Sequence, residues 1–145
     1  MKKSFQEESA IERFLQKVYN HGFIAAVEGM TKILEEGPAG REKKPLRLDL
    51  HQWYQSLDES SREKVRMIVR ESVKLSVFST LVVLDNAIPG PIIEGEISDI
   101  AIYVQTYKDQ PSQKHNETLS TVRINHPNSL IDLHDRFTEM LRTEK

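Results

Sequence analysis

The sequence predicts an α+β domain: several helices around a long central helix, packed with a small antiparallel hairpin and followed by a C-terminal helix. Three observations lead there. Apolar residues recur at helical spacing through most of the first 86 positions, residues 97–107 switch to strict alternation, and helical spacing returns after Ser129. At 145 residues a single domain spanning 1–145 is the expected organisation, and a chain of this length buries a core without staples.

Each element has its own signal. Ile11, Phe14, Leu15 and Val18 give a first helix over about 4–20, behind the capping-box patterns "SFQE" and "SAIE". "NHG" is expected to stop it at Gly22, and Phe23, Val27, Met30 and Ile33 or Leu34 mark a second helix ended by Gly37 and Pro38. "PAGREKKPL" reads as a solvated loop with a basic tip at Arg41, Lys43 and Lys44. In "RLDLHQWYQSLD", Asp49 and Gln52 form a capping box and Leu48 staples against Trp53, so the lone Trp is expected in the core. "SSRE" opens the longest helix, over about 61–86, with Val65, Ile68, Val69, Val73, Val77, Leu81 and Leu84 as its stripe. Met67, Leu75, Phe78 and Val82 add a second apolar face, the pattern of a helix buried among other elements. Ser72, Ser76 and Ser79 leave room for a close neighbour.

The strand signal in "ISDIAIYVQTY" sets Ile100, Ile102 and Val104 on one face and Ala101, Tyr103, Gln105 and Tyr107 on the other. "LSTVRIN" is its hairpin partner, and the long polar loop between them leaves the register open. In the last helix Ser129 is the cap, Asp132 sits in the first turn, and Leu130, Leu133, Phe137, Met140 and Leu141 form the stripe.

Composition narrows the function classes. A formal charge of -2 with 29% charged residues disfavours nucleic acid as a partner. The absence of cysteine removes disulfides and thiolate chemistry and fits a reducing compartment. The N-terminal lysines are followed at once by acids, and no apolar run is long enough for a leader or a membrane span. A cytoplasmic protein with no membrane partner and no cofactor is the expectation. No phosphate-binding glycine loop, nucleophile elbow or HExxH pair occurs.

The acidic stretch after the longest helix is the unusual feature. Asp85 sits at a helix carboxyl end, where the dipole disfavours an acid, and Glu94, Glu96 and Asp99 follow within 14 positions. Asn86 and "IPGP" supply turn chemistry, so a loop-capping role for Asp85 comes first. As a site, the four acids would steer a protein partner by charge, with Tyr103 and Tyr107 as aromatic contacts. Alternatively, Glu94 and Glu96 with His126 or His134 would hold a divalent ion that activates water. None of the five histidines makes an HxH or HxxxH pair, His134 borders an apolar stripe, and Asp132 is expected to point away from His134 and to pair with Arg136.

The segments from Leu50 to Ala87, "EGEISDIAIYVQTY" and "INHPNSLIDLHDRF" resemble a family of short, stand-alone bacterial proteins of unknown function. The resemblance spans Leu50 to Phe137 and implies a bacterial cytoplasmic origin, and it carries over no catalytic residue. Small α+β bacterial proteins of this size also resemble toxin-neutralising immunity proteins in architecture. The leading expectation is a non-enzymatic protein-binding domain of immunity or regulatory type. A metal-dependent hydrolase and a homodimer built on the long helix or the hairpin edge are the alternatives.

Overall fold

Where "NHG" is expected to break the first helix, the backbone stays helical. The computed structural model describes residues 2–39, 45–85, 100–107, 118–125 and 132–143. Helix α1 (Lys2–Lys17) is followed directly by a π-helical turn, Val18–Ile24, and then by α2 (Ala25–Glu36). A π turn widens the helix without ending it, and the backbone runs through Gly22 inside that turn. The later helices are α3 (Pro45–Gln55), α4 (Glu59–Leu84) and α5 (Leu133–Arg142), and the strands are β1 (Tyr103–Tyr107) and β2 (Thr118–Arg123). The α+β class holds: the described residues are mostly helical, with a two-stranded antiparallel sheet and a C-terminal helix.

Two units divide the chain, Val18–Val77 and the segments Met1–Lys17 with Phe78–Lys145. In the first, Phe23, Leu34 and Tyr54 are fully buried. Helix α2 ends at Gly37, whose φ of 83° is open to glycine at little cost and whose N–H reaches Ile33 O. A Cβ there would also stand 3.4 Å from the His51 ring. The last carbonyls of α2 are taken up by α3: the His51 ring nitrogen Nδ1 lies 2.8 Å from Leu34 O, and Gln55 Nε2 donates to Glu35 O at 3.0 Å.

Helix α3 starts earlier than its capping signal. Pro45 opens it, a position where a missing N–H costs nothing, so Asp49 lies inside the helix and is no cap. Tyr54 is buried and Trp53 is half exposed, which reverses the expected assignment of the Trp to the core. The Tyr54 hydroxyl accepts from Arg66 at 2.9 Å, and Arg66 also engages Glu35, Glu59 and Glu63. In α4 the cap is Asp58 instead of Ser60: its Oδ1 accepts the Ser61 N–H at 2.7 Å, and this bond lowers the Asp58 pKa.

The second unit is built on Ala10, Ile11 and Leu15 from α1, Leu81 from α4, Ile124, and Leu133 and Phe137 from α5, all buried. Helix α1 touches both strands and α5. The hairpin register is Tyr103 opposite Arg123, Val104 opposite Val122 and Gln105 opposite Thr121, with an irregularity between Thr106 and Tyr107. Helix α4 departs most from expectation: of its residues only Leu81 is buried, while Met67, Ile68, Leu75 and Val83 are exposed.

Candidate functional site: the hairpin face and the Asp85–His134 junction

Alternation along β1 turns Tyr103, Gln105 and Tyr107 outward and leaves Val104 and Thr106 half-buried. On β2 the pairing sets Arg123 and Thr121 across from Tyr103 and Gln105, and the irregularity before Tyr107 admits Leu119 as an extra outward residue. Tyr103 is 57% exposed, Tyr107 47% and Leu119 59%. Large side chains thus stand together on one sheet face, and the Tyr107 hydroxyl is tied back to Gln105 on the same face. Rings carried by paired backbone are pre-organised, which lowers the ordering cost of contact.

Behind that face a single side chain fastens three segments. Asn125 is buried, donates from Nδ2 to Leu84 O and to Ile100 O at 2.6 Å each, and accepts the Ile102 N–H on Oδ1 at 2.7 Å. It joins the end of α4 to the approach of β1, with the Ile124 N–H adding a bond to Ile102 O. Sequence reasoning assigned Asn125 nothing beyond the end of a strand, because its three partners are distant backbone groups that leave no local pattern.

Asp85 lies at the carboxyl end of α4, and its side chain is only 4% exposed. Its Oδ2 accepts the backbone N–H of His134 at 2.9 Å and lies 2.7 Å from His134 Nδ1. A carboxylate offers only acceptors, so Nδ1 carries the hydrogen of that contact. His134 is the second residue of α5, so its N–H is one of the unpaired amides at that helix start. Asp132 is the N-cap residue, in extended conformation, and makes no side-chain capping bond itself. The acid that is unfavourable at the end of α4 is therefore favourable at the start of α5. The His134 ring packs edge-on against Phe78, with centroids 5.5 Å apart.

Two expectations are corrected here. Because α5 begins at Leu133, the rule that residues two apart diverge on a helix does not govern Asp132 and His134: ligand atoms of Asp132, His134 and Asp135 lie within 4.8 Å of one another. Arg136 pairs with Glu139 at 2.8 Å and stands 3.7 Å from Glu12, and it makes no ion pair with Asp132. Of the residues expected to face a partner, Asp85 turns inward and is spent on α5, while Tyr103 and Tyr107 face out. Glu94, Glu96, Asp99 and His126 lie outside the described residues. So do Ser129 and the basic tip at Arg41, Lys43 and Lys44.

No family model matches the chain, and no curated protein or solved structure matches it. A cavity of about 390 Å³ is lined by Glu12, Leu15, Gln16 and the α5 residues Arg136, Glu139, Met140 and Thr143. None of Asp85, Asp132, His134 and Asp135 lines it. No described helix is long and apolar enough to cross a membrane.

Proposed function

We propose that this chain is a non-enzymatic protein-binding domain that docks through the outward face of its hairpin. The observation that carries the reading is the exposure of Tyr103 and Tyr107 on one face of paired strands, with Leu119 beside them. Aromatic residues fixed on a rigid face supply the large contact area that dominates binding energy, and Arg123 across from Tyr103 adds a polar edge. Glu94, Glu96 and Asp99 are the acids left to steer the partner, since Asp85 is engaged inside the chain. The lack of cysteine and the resemblance to stand-alone bacterial proteins support a bacterial cytoplasmic setting and a regulatory or immunity-type role. The test is a double substitution, Tyr103→Ala with Tyr107→Ala: the reading requires partner binding to fall at least tenfold while the thermal midpoint stays unchanged.

A divalent-cation site with hydrolytic chemistry is the second reading, favoured by the grouping of Asp132, His134 and Asp135. Asp85 holds Nδ1, which directs the other ring nitrogen outward in the manner of a carboxylate that orients a metal-binding histidine. Against it, the first turn of α5 presents partial positive charge to any cation placed there. Thermal melts of metal-stripped protein with Mg²⁺, Ca²⁺, Mn²⁺ or Zn²⁺ separate the readings, because a native-state ligand raises the midpoint by mass action.

A further inference from the structure

The described residues that line the cavity between α1 and α5 belong neither to the hairpin face nor to the Asp85–His134 junction. Its volume of about 390 Å³ falls within the range of small-molecule sites, about 300–1,000 Å³. Its two walls lie in one unit of the chain. The lining divides by chemistry: fully buried Leu15 and half-buried Met140 are apolar, while Glu12, Gln16, Arg136 and Glu139 supply polar groups. The Met140 thioether is flexible and polarisable, so it adapts to an apolar body and makes favourable contacts with a ring.

The charge of the polar groups is one-sided. Two carboxylates meet the Arg136 guanidinium, Glu139 at 2.8 Å on Nη1 and Glu12 at 3.7 Å on Nη2. The hydrogen bond to Glu139 raises the Arg136 pKa, and the charges of Glu139, Glu12 and Glu8 raise it further. Three carboxylates against one guanidinium leave the cavity mouth with an excess of negative charge. The Glu12 and Glu139 side chains remain 60% and 59% exposed, so carboxylate lone pairs stay available to a ligand. An anion would meet a guanidinium already bonded to Glu139 and surrounded by like charge, whereas an ammonium group meets acceptors. We propose that this cavity binds a small organic cation, an aromatic amine whose ammonium group is held by Glu12 and Glu139 and whose ring lies against Leu15 and Met140. Arg136 holds Glu139 in place at the mouth and makes no contact with the ligand's charged group.

Methyl NMR titration of the full chain at neutral pH and low salt tests the site with three probes that share one ring and differ in charge: tryptamine, tryptophol and indole-3-propionate. Tryptamine is expected to shift the Leu15 and Met140 methyl signals saturably and to leave the methyl of Met67, exposed on α4, unmoved. The neutral and anionic probes are expected to bind at least about tenfold more weakly, the effect of two partly exposed ion pairs. Glu12→Gln with Glu139→Gln keeps the shape of the mouth and removes its charge, so it should abolish the preference for tryptamine over tryptophol. Both side chains are exposed, and the thermal midpoint of this variant should stay close to the native one. The proposal is overturned if tryptamine gives no saturable shift at Leu15 and Met140, or moves Met67 equally. It is overturned as well if tryptophol or indole-3-propionate binds as tightly as tryptamine, or if the double variant keeps the preference.

Discussion

Asp85 and His134, 49 positions apart, are joined twice by one oxygen: Asp85 Oδ2 holds both the His134 backbone N–H and ring nitrogen Nδ1. The junction sets the start of α5 against the end of α4 and spares both groups an unsatisfied burial. It also changes the meaning of the acidic stretch after α4, because its first member is structural.

Asp85→Ala should therefore destabilise the protein. It leaves the His134 amide and ring without their acceptor, at a cost of about 1–3 kcal/mol. Asp85→Asn keeps one acceptor and should fall between. Denaturant titration reads both, and native stability in Asp85→Ala would show the junction to be incidental.

Asn125→Ala should cost on the order of 2–3 kcal/mol, because Leu84 O, Ile100 O and Ile102 N all lose a buried partner. Asn125→Asp keeps the acceptor for Ile102 but sets a carboxylate against two carbonyl oxygens, so it should not rescue. The Ile102 amide should lose hydrogen-exchange protection in the Ala variant and keep more of it in the Asp variant.

Acid should weaken the start of α4 through Asp58. The backbone N–H of Ser61 holds its carboxyl below the ordinary value of 3.8. A folded pKa below the unfolded one means that the stabilisation is fully present above the unfolded value and disappears as pH falls through the folded one. Asp58→Asn keeps a neutral cap and should flatten this part of the acid transition, whereas Asp58→Ala should lower stability at neutral pH as well. Thermal midpoints collected from neutral to acidic pH check both variants.

Charge reversal should separate the acids by role. Asp85→Lys buries a cation where a carboxylate held an amide and should unfold α5, seen as lost helical signal. Glu94→Lys and Glu96→Lys should slow partner association and leave the thermal midpoint within the range of ordinary surface substitutions, about 0.5 kcal/mol. A large stability loss at Glu94 or Glu96 would place them in the fold.

Much of the fold is legible in the sequence because periodicity is local: α4, α5 and both strands fall near the changes of spacing from 3.6 to 2 and back, although residues 100–102 precede β1 and Ile100 is exposed where the alternation set it inward. Helix starts are less legible because several residues can cap. Ser60 and Asp49 have suitable side chains, yet Asp58 caps α4, and Pro45 begins α3 four residues before Asp49. With Asp49 inside the helix, the cap-based staple that would hold Trp53 is gone, and of the two adjacent aromatics, which point about 100° apart, only Tyr54 is buried. The site divides the same way. Alternation suffices to turn Tyr103 and Tyr107 to one face, whereas the Asp85–His134 junction and the Asn125 bridge join distant segments and carry no local signature. The apolar residues of α4 mark a buried helix by composition, but whether the rest of the chain covers Ile68 and Leu75 is a tertiary property.

The hairpin face is tested most directly by photo-crosslinking in living cells of the source organism, with benzoyl-phenylalanine replacing Tyr103, Tyr107 or, as a control, the exposed Lys32 on α2. The same single adduct from positions 103 and 107, missing from position 32, is the expected result. No adduct at either tyrosine position, or one equally strong at position 32, would contradict docking through this face.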